Sequence, residues 1–188
     1  MAVNLATKLR TGIKPQQFMD GIDKNRDAFL KWYDEYEWAS KEDEAFFASL
    51  RNRDDLRCLI LSAEWCGDVV RNVPVIFRAL ENSGIPTEVL IMEQHLETMD
   101  QFLTGGGRAI PIVIFTDTSG VVLGKWGPRP ANVQAIMTEF KKQNPDREAA
   151  DYQEKIAVAR TEMGRQYGEG TGYQAVIITE LRDLISSL

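Results

Sequence analysis

The sequence predicts an α/β fold, a buried sheet flanked by helices, and three observations carry that expectation. Apolar residues recur at helical spacing through residues 15 to 53. The period then collapses into LRCLILSA (56–63), a short apolar run with little alternation, as expected of a strand covered on both faces. From there to residue 143, strand-like runs and helical stretches alternate, the order that builds a sheet with helices packed on it.

In the N-terminal part, Pro15 suits the first turn of a helix, and Phe18, Ile22, Phe29, Trp32, Tyr33 and Tyr36 recur at roughly helical spacing. Trp32, Tyr33, Tyr36 and Trp38 are expected to face inward rather than form a partner surface. Ser40 followed by Asp43 has the spacing of a capping box opening the helix EAFFASL.

After the first strand, CGDVVRNVPVIFRALENSG carries Val69, Val70, Val73, Ile76, Phe77 and Leu80 on one helical stripe and ends at Gly84, a good helix stop. Pro74 inside it predicts a kink. TEVLIM (87–92) reads as a second strand, LETMDQFLTGGG as a short helix ended by its three glycines, and IPIVIF (110–115) as a third strand. GVVLGKW (120–126) pairs with that strand across the DTSG turn.

Beyond Pro130, ANVQAIMTEFKKQ is helical, Asn144-Pro145 breaks it, and two further helices flank GEGTG (168–172). The last has one apolar stripe of Val176, Ile177, Leu181, Leu184, Ile185 and Leu188. No break is long or polar enough for a flexible linker. We read one domain over residues 1–188, with a helical N-terminal extension (1–53), an α/β core (54–143) and a helical C-terminal extension (144–188).

Bulk properties exclude several functions. The chain of 188 residues has a formal charge of −6 and no long Lys/Arg run, which argues against nucleic acid as a partner. Neither an apolar leader nor about 18 consecutive apolar residues is present, so no membrane partner is expected and a cytoplasmic location is. With only Cys58 and Cys66, and His95 the sole histidine, there is neither a disulfide framework nor a zinc-ligand set. No cofactor and no metal are implied.

The chemistry therefore centres on SAEWCGDVVRNVP (62–74). A cysteine at the first turn of a helix, directly after a buried strand, faces unpaired backbone N–H groups and the positive end of the helix dipole, which favour thiolate. Cys66 is the residue so placed, and a lowered pKa is expected of it. Cys58 lies within the apolar strand and is expected to be a small core residue. An extended strand at about 3.3 Å per residue holds the two too far apart to bridge. Asp68 would support the helix dipole while raising the thiol pKa, so its sign opposes activation.

Three other features are read as structural. His95 falls after the second strand, as a surface or capping residue. Gly105, Gly106 and Gly107 follow a helix and precede a strand, the reverse of a phosphate loop, and form a turn. Trp65, beside the thiol, is either a groove wall or an aromatic packed at a strand end.

Together AEWCGD after a hydrophobic strand, Pro74 eight residues past Cys66, GRAIP before the next strand, and the hairpin GVVLGKWG resemble the thioredoxin superfamily over about residues 54–143. The nearest resemblance is to small bacterial thioredoxin-like proteins carrying WCGDC with a helical N-terminal extension; Asp68 matches that pattern and Val69 does not. The resemblance implies a thioredoxin fold, a central mixed sheet with helices on both faces. It also makes Ile110-Pro111 a cis peptide facing Cys66, with Trp65, Gly67, Asp68, Val69, Ile110 and Pro111 lining a substrate groove.

Two departures limit the chemistry. Val69 stands where the family's dithiol pattern has its second cysteine, and Ile60 where it commonly buries an acid. A lone thiol can form a mixed disulfide but cannot release itself. The expectation is a monothiol thiol-disulfide oxidoreductase acting on protein or low-molecular-weight disulfides and resolved by an external thiol such as glutathione or bacillithiol. The alternative is a redox-inactive thioredoxin-fold module that binds protein through the same groove. A third possibility is an iron–sulfur cluster held between two subunits by one cysteine and an external thiol.

Overall fold

The computed structural model describes residues 3–188. Strands β1 (Leu56–Ser62), β2 (Thr87–Ile91), β3 (Ile112–Asp117) and β4 (Val122–Trp126) form one mixed sheet in the order β2-β1-β3-β4. β1 runs parallel to β2, with Cys58 opposite Thr87 and Ser62 opposite Ile91, and antiparallel to β3, with Leu56 opposite Asp117 and Leu61 opposite Ile112. The hairpin to β4 pairs Val113 with Trp126 and is irregular between Phe115 and Thr116.

Six of the seven β1 residues are buried. Because successive side chains point to opposite faces, both faces of this strand are covered, as its unbroken apolar sequence requires. The parallel pair is joined through α4 (Gly67–Ser83), whose stripe of Val69, Val73, Ile76, Phe77 and Leu80 is buried. Gly84 ends α4 with φ +67°, the left-handed conformation that glycine adopts without a Cβ penalty.

Three helices precede the sheet: α1 (Pro15–Asp20), α2 (Arg26–Asp34) and α3 (Lys41–Ser49). Pro15 occupies the first turn of α1, and the Ser40 hydroxyl accepts the Asp43 N–H at 3.0 Å to cap α3. Trp32 and Tyr36 are buried, while Tyr33 and Trp38 pack partly exposed against the core. Phe18, Phe29 and Phe77 meet edge to face with centroids about 6 Å apart, fastening α1 and α2 to α4.

After β2 come the short helix α5 (Leu96–Met99), α6 (Ala131–Gln143), α7 (Tyr152–Tyr167) and α8 (Gly172–Ser186). α8 buries Ile177, Leu181 and Ile185 and packs on β4 and α4.

The structure adjusts two boundaries. The third strand begins at Ile112 rather than Ile110, because the Ile110-Pro111 peptide is cis and Pro111 has no N–H for the ladder. The helix expected from Leu96 up to the three glycines at 105–107 stops at Met99 and gives way to turns, with Gly105 and Gly106 at φ +55° and +72°. A second cis peptide, Gly127-Pro128, closes β4.

Residues 3 to 13 form no regular element, yet they reach both sheet edges. The Val122 N–H donates to the Val3 carbonyl and the Leu5 N–H to that of Gly120, while Ile13 exchanges both backbone hydrogen bonds with Val89. A Cβ on Gly120 would lie 2.3 Å from the Ala6 nitrogen, so the crossing needs glycine there.

Candidate active site

Cys66 is the residue at which β1 hands the chain to α4. It caps the helix in an extended conformation, and the Val70 N–H donates to its carbonyl at 3.0 Å. Its Sγ lies 3.4 Å from the Ile110 carbonyl oxygen, to which the thiol can donate. The cis Ile110-Pro111 peptide therefore stands directly against the sulfur. Pro111 itself is buried, so it backs the site rather than presenting an open face.

The electrostatics overturn one expectation. Burial pushes the Cys66 thiol above its ordinary value, and the Asp68 carboxylate adds to that rise. The N–H groups of Val69 and Asp68, with the Arg129 guanidinium, pull the other way and do not prevail. The helix-start argument has the right sign for its own contribution; desolvation exceeds it. Cys58, fully buried in β1, is pushed higher still by the same cause. Both cysteines are free.

The remaining predicted groove residues fall around this turn. Trp65 is 53% exposed, and its indole N–H donates to the Glu93 carboxylate at 2.6 Å. Gly67 is exposed, and a Cβ there would meet nothing within 4 Å, leaving the space before the helix start open. Val69 and Ile60 are completely buried, so neither borders that space. His95 caps α5 and has the Lys8 ammonium 3.5 Å from its Nδ1. Its burial, with Lys8 beside it, lowers its pKa.

Sequence reading placed Asp68 correctly in the first turn but missed what holds it. Arg129, just after the cis Gly127-Pro128 peptide, pairs with Asp68 at 2.7 Å, both side chains largely buried. The Tyr167 hydroxyl, at the end of α7, donates to the other Asp68 oxygen at 3.0 Å. Buried Asn72, one turn further along α4, donates to Tyr167 Oη at 2.8 Å and to the Pro128 carbonyl at 3.1 Å. One signal was visible: Asn72 is a polar residue within the apolar stretch of α4, where a buried amide requires partners.

Arg71, beside Asn72, is held by aromatic rings. Its guanidinium carbon lies 4.5 Å from the Trp32 ring centroid, 4.6 Å from Tyr173 and 5.2 Å from Tyr167, and Nη2 donates to the Gly168 carbonyl at 2.6 Å. Helices α2, α7 and α8 thus converge on the first turns of α4.

A strand, a turn bearing Trp-Cys, a helix opening on that cysteine and a cis-proline peptide against its sulfur define a protein of thioredoxin-like fold. In agreement, a thioredoxin family model matches residues 12–141, and the chain belongs to this family. The match takes in α1 to α3 as well as the sheet. No curated protein sequence matches the chain. Among solved structures, it is similar to a protein of unknown function from Pseudomonas aeruginosa, with TM-score 0.67, 16% identity and 98% of each chain covered. It is likewise similar to an HIV epitope scaffold, with TM-score 0.66, 16% identity and 99% of each chain covered. At that identity the likeness concerns the fold, and it extends over both helical extensions.

No helix among the described residues is long and apolar enough to cross a membrane.

Proposed function

We propose that this protein is a monothiol thiol-disulfide exchange protein in which Cys66 is the nucleophile. The observation that carries the reading is the placement of Cys66: partly exposed at the N-terminus of α4, with its sulfur 3.4 Å from the cis Ile110-Pro111 peptide. Trp65 and the open space before Gly67 would receive the substrate, with Asp68, Val69, Ile110 and Pro111 shaping the turn behind it.

Cys66 loses its proton to solvent, and the thiolate attacks one sulfur of a disulfide. A new S–S bond joins Cys66 to that sulfur, and the other leaves as a thiolate that takes up a proton. A second, external thiolate then attacks the mixed disulfide, forms a disulfide with the bound group and returns Cys66 as thiolate. Val69 has no sulfur, so the external thiol is obligatory; glutathione or bacillithiol fits that role. The WCGDV turn in this reading is a variant of the WCGDC turn of bacterial thioredoxin-like proteins, working in the reducing cytoplasm.

Burial of Cys66 makes the rate strongly pH-dependent. Raising the thiol pKa leaves less thiolate at neutral pH, so exchange accelerates as the pH rises into the alkaline range. The test is mass-spectrometric alkylation and mixed-disulfide formation with bis(2-hydroxyethyl) disulfide against pH. The expected result is reaction at Cys66 but not Cys58, rising into the alkaline range and reversed by added glutathione. Failure of Cys66 to form the mixed disulfide even at about pH 10, above an ordinary cysteine pKa, would overturn this reading.

That failure would leave the protein-binding module, which the same elevated thiol and the fully buried Val69 and Ile60 favour.

A further inference from the structure

A second concave feature lies behind the active turn, and its chemistry differs from that of the Trp65 side. α6, α7, the start of α4 and the turn before Ala109 enclose a cleft of about 470 Å³. Three cations line it: Arg129 from the segment after β4, Lys141 near the end of α6, and Arg160 on α7. One carboxylate, Asp68, stands against them, in a chain whose net charge is −6.

Asp68 is committed to Arg129 and Tyr167. The Lys141 ammonium reaches only backbone oxygens, the carbonyls of Thr104 and Gly105 at 3.2 and 3.3 Å. Arg160 has no carboxylate within 4 Å among the described residues. Thr104, also in the lining, has a buried hydroxyl without a hydrogen-bond partner. Lys141 and Arg160 thus face the cleft without a matching carboxylate, while Arg129 is paired with Asp68; burial, with Arg147 and Arg129 nearby, pushes the Lys141 pKa down. Arrangements of this kind are stabilised when an anion enters.

We infer that this cleft binds a small organic anion bearing carboxylate or phosphate groups, clasped by Arg129, Lys141 and Arg160. Its volume is within the range of small-molecule sites. Arg129 is held in place by Asp68 through Nε and Nη2 and by the Gln134 amide oxygen, which Nη1 reaches at 2.9 Å, leaving the second N–H of each terminal nitrogen for the ligand. Arg160 and Lys141 close on the ligand from the two helices, and the Thr104 hydroxyl supplies a neutral donor. Gly67 belongs to the same lining, so the ligand lies beside the residue that follows Cys66. Neither the cleft nor its charge depends on Cys66 being reactive.

The test is calorimetric titration of the full-length protein with two unreactive probes, S-methylglutathione for carboxylates and glycerol 3-phosphate for phosphates. At least one is expected to bind, more weakly as salt is raised. Arg160→Gln and Lys141→Gln should each weaken it about tenfold, as expected for loss of a charged hydrogen bond. Arg160 is exposed, so that variant tests the charge without disturbing the core. Arg165→Gln serves as control, since that side chain is on α7 but pairs with Glu162 and does not line the cleft. The binding probe identifies the anion class. Failure of both probes to bind below about 10 mM, or equal binding by wild type, Arg160→Gln and Lys141→Gln, would overturn the inference.

Discussion

The two flanks of the Cys66 turn are held by opposite ends of the chain. On the N-terminal side, the Glu64 carboxylate accepts the Asp23 N–H at 2.6 Å, the Asn25 amide donates to the Glu64 carbonyl at 3.3 Å, and Trp65 leans on Glu93. These bonds are exposed, and the adjoining cavity of about 280 Å³ is lined mainly by apolar residues, among them Ile13, Phe18, Ile22 and Ile91. On the other side, Asp68, Arg129, Tyr167 and Asn72 form a connected, largely buried network, with Arg71 in its aromatic cage beside it. One flank is tied by exposed hydrogen bonds; the other is tied by a largely buried network. Residues before α2 and the end of α7 thus both brace the Cys66 turn, and the buried network on the α7 side costs more to break.

Removing Arg71 should separate the flanks most sharply. Arg71→Ala deletes contacts with three aromatic rings and a hydrogen bond to Gly168, and is expected to destabilise the fold by about 3 kcal/mol in a denaturant titration. A loss below about 0.5 kcal/mol would show that the cage does not hold α4.

Asp68→Asn comes next, at about 2 kcal/mol, because it leaves the largely buried Arg129 charge without its partner. It carries a second signature. Asp68 raises the Cys66 pKa, so removing its charge lowers that pKa and speeds alkylation several-fold at pH 7. Slower alkylation would mean that loss of the network displaces Cys66.

The smallest effect belongs to the exposed flank. Trp65→Ala should alter stability by less than about 1 kcal/mol, since the indole is half-exposed and its one hydrogen bond is at the surface. A loss comparable to that of Asp68→Asn would erase the contrast between the two sides.

What could be read from the sequence follows the range of each signal. The β1 run, the apolar stripe of α4 and its glycine stop are local patterns, and each became the element expected. Cys58 as a core residue and the impossibility of a Cys58–Cys66 bridge follow from strand geometry alone. The cis peptide at Pro111 came through resemblance, because an isolated Ile-Pro pair carries no such signal. Residues 3–13 had no periodicity to read, and they are placed by single backbone bridges to both sheet edges.

The sequence by itself thus determined the order of strands and helices and which cysteine faces solvent, because periodicity and position along a strand act over a few residues. Tertiary structure decided the state of that cysteine and the company of Asp68. Arg129 and Tyr167 lie 61 and 99 residues further along the chain, beyond any local pattern. The Cys66 pKa depends on how much solvent the packed helices remove, and there burial outweighs the helix start that sequence reasoning could see.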